Sequence, residues 1–96
     1  MISYNVLESI AERLDCSVET CVHSVRMFSE FCALNKKGLE EKKTYFAACF
    51  FIASKFNDNG YVDPFCFEEA FDIVFEKVLD AEIDVLKTLE FKIWYH

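Results

Sequence analysis

TYFAACFFIASKF, residues 44 to 56, holds a long apolar run near the middle of the chain. In its ten-residue core, Tyr45 to Ser54, only the two end residues carry a polar side-chain atom. A helix that is apolar on every side has to be covered on every side. A membrane span is ruled out by length, because about 20 apolar residues are needed to cross a bilayer. Phe50, Phe51 and Ile52 have good strand propensity, but Ala47, Ala48 and Ala53, with helical patterns before and after, favour a helix. The stretch is read as a central helix that other helices wrap. It ends on Lys55 and Phe56, followed by the breakers Asn57-Asp58-Asn59-Gly60. A lysine there suits the negative end of the helix dipole.

Working outward, 96 residues suit one domain, and 53% apolar residues with eleven phenylalanines suit a dense core. Two glycines and one proline leave little material for the turns of an all-β fold, so the expected class is all-α, a single domain over residues 1–96. Met1 to Ile10 lacks a signal-peptide pattern and no stretch is long enough to span a membrane. The expectation is an intracellular protein of nucleus or cytoplasm, not a secreted one. Five cysteines without a CxxC pair fit small core residues in a reducing compartment better than a metal site or disulfide framework. Residues 1 to 56 balance seven acids with seven bases. Residues 57 to 96 carry ten acids against three lysines, the whole net charge of −7. That acidity argues against a nucleic-acid partner.

Along the chain, Val6, Leu7, Ile10 and Leu14 mark a short first helix. Ser17 is placed to cap a second, on which Val18, Cys21, Val22, Val25, Phe28 and Cys32 keep the helical period to about Leu34. Asn35-Lys36-Lys37-Gly38 reads as a turn, with Gly38 available for a left-handed position. Beyond the central helix, Asp63-Pro64 starts a fourth, with Phe67, Ala70, Phe71, Val74 and Phe75 as its aromatic face. A change of phase near Lys77 opens a fifth, defined by Leu79, Ile83, Leu86 and Leu89. Phe91 to His96 alternates and is read as extended, with Phe91 and Ile93 packing beside the fifth helix.

No catalytic constellation, phosphate-binding loop or zinc motif is present, so no enzyme, cofactor, metal or small-molecule substrate is expected. His23 reads as a surface histidine on the wetter side of the second helix. Glu82 is the residue that does not fit: Val78, Leu79, Val85 and Leu86, three and four positions away, are all apolar. It either rims the core and points into water or meets a charge from elsewhere, and Lys55 is the candidate.

ASKF closing a central apolar helix, followed at a distance by ExxxLxxLxF, resembles the cyclin box. The likeness runs from Val6 to Ile93: Glu19-Thr20 opens the second helix, FFIASKF spans Phe50 to Phe56, and Glu82, Leu86, Leu89, Phe91 and Ile93 close the series. The resemblance implies a five-helix all-α box whose partner is a cyclin-dependent protein kinase, bound around its C helix and activated. It further implies that Lys55 and Glu82 hydrogen-bond the kinase backbone while Phe56, Leu86, Phe91 and Ile93 supply apolar contact. The MRAIL-like motif of cell-cycle cyclins is missing from the first helix, and its acidic counterpart on the second is here Ser29. A docking groove for basic-hydrophobic substrate motifs is therefore not expected. In these respects the chain looks more like transcriptional or phosphate-signalling cyclins than mitotic ones. The alternative is a cyclin-fold protein-protein adaptor with no kinase partner.

Overall fold

The computed structural model describes residues 4–58 and 62–90. Six helices lie among them: α1 (Tyr4–Arg13), α2 (Val18–Leu34), α3 (Lys37–Glu40), α4 (Lys42–Asn57), α5 (Pro64–Phe71) and α6 (Phe75–Thr88). No strand occurs among the described residues. The all-α class is as the sequence indicates, with one helix more than the five expected.

α4 is the central helix. Tyr45 to Phe50 and Ile52 to Ser54 are all buried, covered chiefly by α2 on one side and α6 on another. Against α2, Phe46 meets Phe28 edge-on at 5.4 Å and Tyr45 stacks on Phe31 at 4.8 Å between ring centroids. Towards α5 and the start of α6, Phe50 and Phe51 enter a cluster of edge-on and tilted rings with Phe67, Phe71 and Phe75. Both polar side-chain groups of the Tyr45 to Ser54 core are satisfied: the Tyr45 hydroxyl donates to Asp84 Oδ2 at 2.7 Å and Ser54 to the Phe51 carbonyl at 2.7 Å. Burial, then the acceptor Asp84, pushes the Tyr45 hydroxyl pKa well up.

The expected caps are present. Ser17 Oγ accepts from the Thr20 N–H at 3.3 Å, and Asp63 Oδ1 from the Phe65 N–H at 2.9 Å, with Pro64 in the first helical turn. α6 has no capping side chain of its own at Val74. Instead Glu68 reaches over from α5, and its Oε2 accepts from the Phe75 N–H at 2.8 Å.

Four expectations are corrected. Asn35 to Gly38 is not a plain turn: Lys37 to Glu40 coil into α3, and Gly38 has no left-handed backbone. Gly38 is needed for space, since a Cβ there would lie 2.7 Å from Cys32 Sγ and 2.9 Å from a Phe31 ring carbon. On α2 the core face is Thr20, Cys21, Ser24, Met27, Phe28 and Phe31, while Val18 and Val22 are exposed. Thr20 and Ser24 go inside because their hydroxyls find partners, Ser24 donating to the Cys21 carbonyl at 2.8 Å. Val6 on α1 is likewise exposed, and Ala11 takes its place in the core. The break between α5 and α6 falls at Asp72 to Val74 rather than Lys77, because Asp72 adopts the left-handed conformation (φ 55, ψ 54) that usually calls for glycine. Val74 is consequently exposed, outside the aromatic face it was assigned to.

Candidate functional site

Glu82 resolves in favour of a partner from another helix. Lys55 Nζ, in the last turn of α4, lies 2.5 Å from Glu82 Oε2 on α6. The ammonium also sits over the Phe51 ring, 4.3 Å from its centroid, so the ring's negative face adds to the attraction. The pair is uneven: the Lys55 side chain is 51% exposed, the Glu82 side chain 14%. The ammonium has three donors, and the carboxylate takes one. What remains is an outward-facing donor held in place by a largely covered acid.

The end of α4 is held by Asp58, its C-cap residue. The Asp58 carboxylate accepts from the Ser17 N–H (3.1 and 3.3 Å to its two oxygens) and from the hydroxyl of fully buried Thr20. A carboxylate at the positive end of α2 is favoured by the dipole. The Glu19-Thr20 opening of α2 thus acts through its threonine, locking the α4 terminus that carries Lys55 and Phe56 against α2.

Phe56, 48% exposed, projects beside this pair's lysine in sequence, with its ring centroid 6.1 Å from that of His23. The Asn57 amide lies 3.0 Å from His23 Nδ1 and also donates to the Ala53 carbonyl at 2.9 Å. Sequence reasoning left His23 on the open surface, because the residues it meets lie on another helix. Leu86 is partly buried against the core, whereas Leu79 and Ile83 are exposed. The buried stripe of α6 is Val78, Ala81 and Val85, with Leu89 just beyond. By helical spacing, Leu86, Leu79 and Ile83 continue from Glu82 round the outer side of α6. Leu79 and Ile83 are thus site candidates that the helical period alone does not separate from the core. Phe91 and Ile93 lie outside the described residues.

The remaining chemistry is quiet. No group of metal-ligating side chains occurs among the described residues, and all five cysteines are free. Cys21 and Cys49 are buried, Cys16 and Cys32 partly so. Burial, followed by the Asp58 charge, pushes the Cys16 thiol up to about 11, and burial drives Cys49 well above the ordinary thiol range. Such thiols stay protonated at neutral pH and make poor nucleophiles. Beside α1 a groove of about 370 Å³ opens, bordered by Val6 and Ile10.

The family model described as "Cyclin, N-terminal domain" matches residues 1–94. No curated protein and no solved structure matched the chain. With nearly the whole chain matched and the helical architecture in agreement, the chain belongs to the cyclin family. The cyclin fold is a regulatory, protein-binding domain, and the role of this chain is cyclin-like and regulatory. No described helix is long and apolar enough to cross a membrane.

Proposed function

We propose that this chain binds and activates a cyclin-dependent protein kinase through the face built on Lys55 and Glu82, residues 1–96 acting as one cyclin box. The observation that carries this reading is the ion pair bridging α4 and α6, with a half-exposed ammonium and apolar side chains that the fold leaves uncovered. Lys55 and Glu82 would hold the kinase backbone near its C helix, with Phe56 and Leu86, and Phe91 and Ile93 beyond the described residues, giving apolar contact. Leu79 and Ile83 extend that contact. Activation would be a population shift: contacts available only to the inward position of the kinase helix stabilise the active state. The chain itself does no chemistry and acts in the nucleus or cytoplasm.

The test pairs thermal melts of Lys55→Ala and Glu82→Gln with a titration against the kinase captured from the source cell. The isolated chain should lose about 1 kcal/mol or less, as expected for a pair open to water on one side. The complex should lose about 2 to 5 kcal/mol, roughly thirtyfold or more in affinity. Intact kinase binding with a large fall in melting temperature would make the pair purely structural. Capture of regulatory proteins without any kinase would favour the adaptor reading.

A further inference from the structure

Histidine is the side chain that changes charge between about pH 5 and 8. The chain has two, and His23, the one among the described residues, is set by the fold against the tip of α4. Its ring centroid lies 6.1 Å from that of Phe56, with the planes tilted by 57°. Its Nδ1 lies 3.0 Å from Asn57 Nδ2. Both contacts cross from α2 to the last two residues of α4, directly after Lys55.

The direction of the hydrogen bond is fixed. An amide nitrogen only donates, so Nδ1 accepts and carries no proton. Turning the amide round would not relieve this. Nδ2 also donates to the Ala53 carbonyl at 2.9 Å, and a reversed amide would set its own oxygen against that carbonyl oxygen. The geometry therefore admits an imidazole with a bare Nδ1. A charged ring has a proton on both nitrogens. Asn57 would then face a second donor, and the link that ties the tip of α4 to α2 would be lost.

The charges near the ring come from both helices. On α2, Glu19 and Arg26 stand one turn away on either side, at i−4 and i+3. From α4, the Asp58 carboxylate reaches the Thr20 hydroxyl, three residues before His23, and Lys55 stands two residues before Asn57. Two are acids and two are bases, so neither sign dominates the surroundings. The face of Phe56 would attract a charged ring, but a tilted contact at 6.1 Å lies at the edge of the range of about 6 Å over which such attraction counts.

We propose that His23 is a positioning residue for the partner face: neutral, it clamps Asn57 and holds Phe56 in place beside Lys55; charged, it releases them and kinase binding weakens. This role rests on the kinase reading and adds to it a dependence on pH. His23 acts through the tip of α4 and requires no contact of its own with the kinase.

The experiment titrates the full chain against the captured kinase across about pH 5 to 8 at fixed salt, with His23→Asn and His23→Ala beside the parent. Asparagine places an oxygen where Nδ1 stands and stays an uncharged acceptor throughout; alanine offers none. Dividing the parent's affinity by that of the Asn variant at each pH removes the kinase's own titration. That ratio should fall about threefold to tenfold from the neutral to the acid end, the contribution of one hydrogen bond. The Ala variant should be weaker than the parent by a similar factor at neutral pH. In the free chain, the Asn57 side-chain amide signals in a nitrogen-15 spectrum should shift in step with the His23 ring, and stay constant in the Asn variant. A flat ratio, an Ala variant as tight as the parent at neutral pH, or Asn57 signals that ignore the ring would each overturn the proposal. Absence of kinase binding at every pH would sink the kinase reading and this role with it, whereas a flat ratio with kinase bound would sink this role alone.

Discussion

α4 and α6 are both richer in apolar residues than a surface helix needs, and the fold treats them in opposite ways. Around α4 every apolar direction is closed by the chain itself: α2, α5 and α6 leave only Phe51 partly open before the helix reaches Lys55. α6 has two apolar stripes. One, Val78, Ala81 and Val85, faces the core; the other, Leu79 and Ile83, stays in water with Leu86 between. Hydrophobicity reports that a side chain will meet something. Which stripe meets the chain's own core and which is left for a partner is decided by packing, and the boundary between the two is where Glu82 lies.

That contrast can be broken experimentally, most forcefully at α4. Phe50→Ala removes a fully buried ring from the aromatic cluster and should cost about 3 to 5 kcal/mol in urea denaturation. A loss below about 1 kcal/mol would mean that α4 is not enclosed as described. The C-terminal end of the same helix is tested by Asp58→Ala, which deprives the Ser17 N–H and the buried Thr20 hydroxyl of a charged acceptor. Hydrogen bonds to charged groups contribute about 1.5 to 3 kcal/mol, and a loss near 2 is expected in the same measurement. A neutral result would show that α2 and α4 are held at that end by apolar packing alone. On α6 the two stripes are compared directly. Val85→Ala should cost about 2 kcal/mol, the burial contribution of such a side chain. Ile83→Asp, at a position 52% exposed, should stay within about 0.5 kcal/mol of the parent and yet weaken kinase capture. Equal losses at the two positions would place the outer stripe inside the fold and remove it from the interface.

The same difference explains what could be read from the sequence. α4 was legible because a helix apolar all round has no phase to mistake. α2 and α6 do have a phase, and a count of apolar residues sets it only in part: Cys21, Phe28 and Leu89 are buried, whereas Val18, Val22, Leu79 and Ile83 are exposed. Thr20 and Ser24 are polar by composition but buried because their hydroxyls are satisfied, so an apolar periodicity passes over them. The α5–α6 break was misplaced because an aspartate, not a glycine, takes the left-handed position; Asp15 and Glu90 do the same elsewhere. The Lys55–Glu82 pair could be anticipated because a carboxylate among apolar neighbours has to find a charge. His23 could not be placed at Phe56 and Asn57, since no local pattern carries a contact spanning 34 residues.

The uneven burial of the cysteines has a practical consequence for measurement. Cys66 is the exposed member of the set, while Cys16 and Cys49 are held protonated. A maleimide dye at neutral pH should therefore attach first at Cys66 without any mutation. That residue is four positions before Ala70 on α5, so the two are neighbours on one helix face. A fluorophore placed there would sit one turn from Ala70, which borders the groove beside α1. The natural sequence thus supplies a built-in attachment point for a dye that reports on that groove.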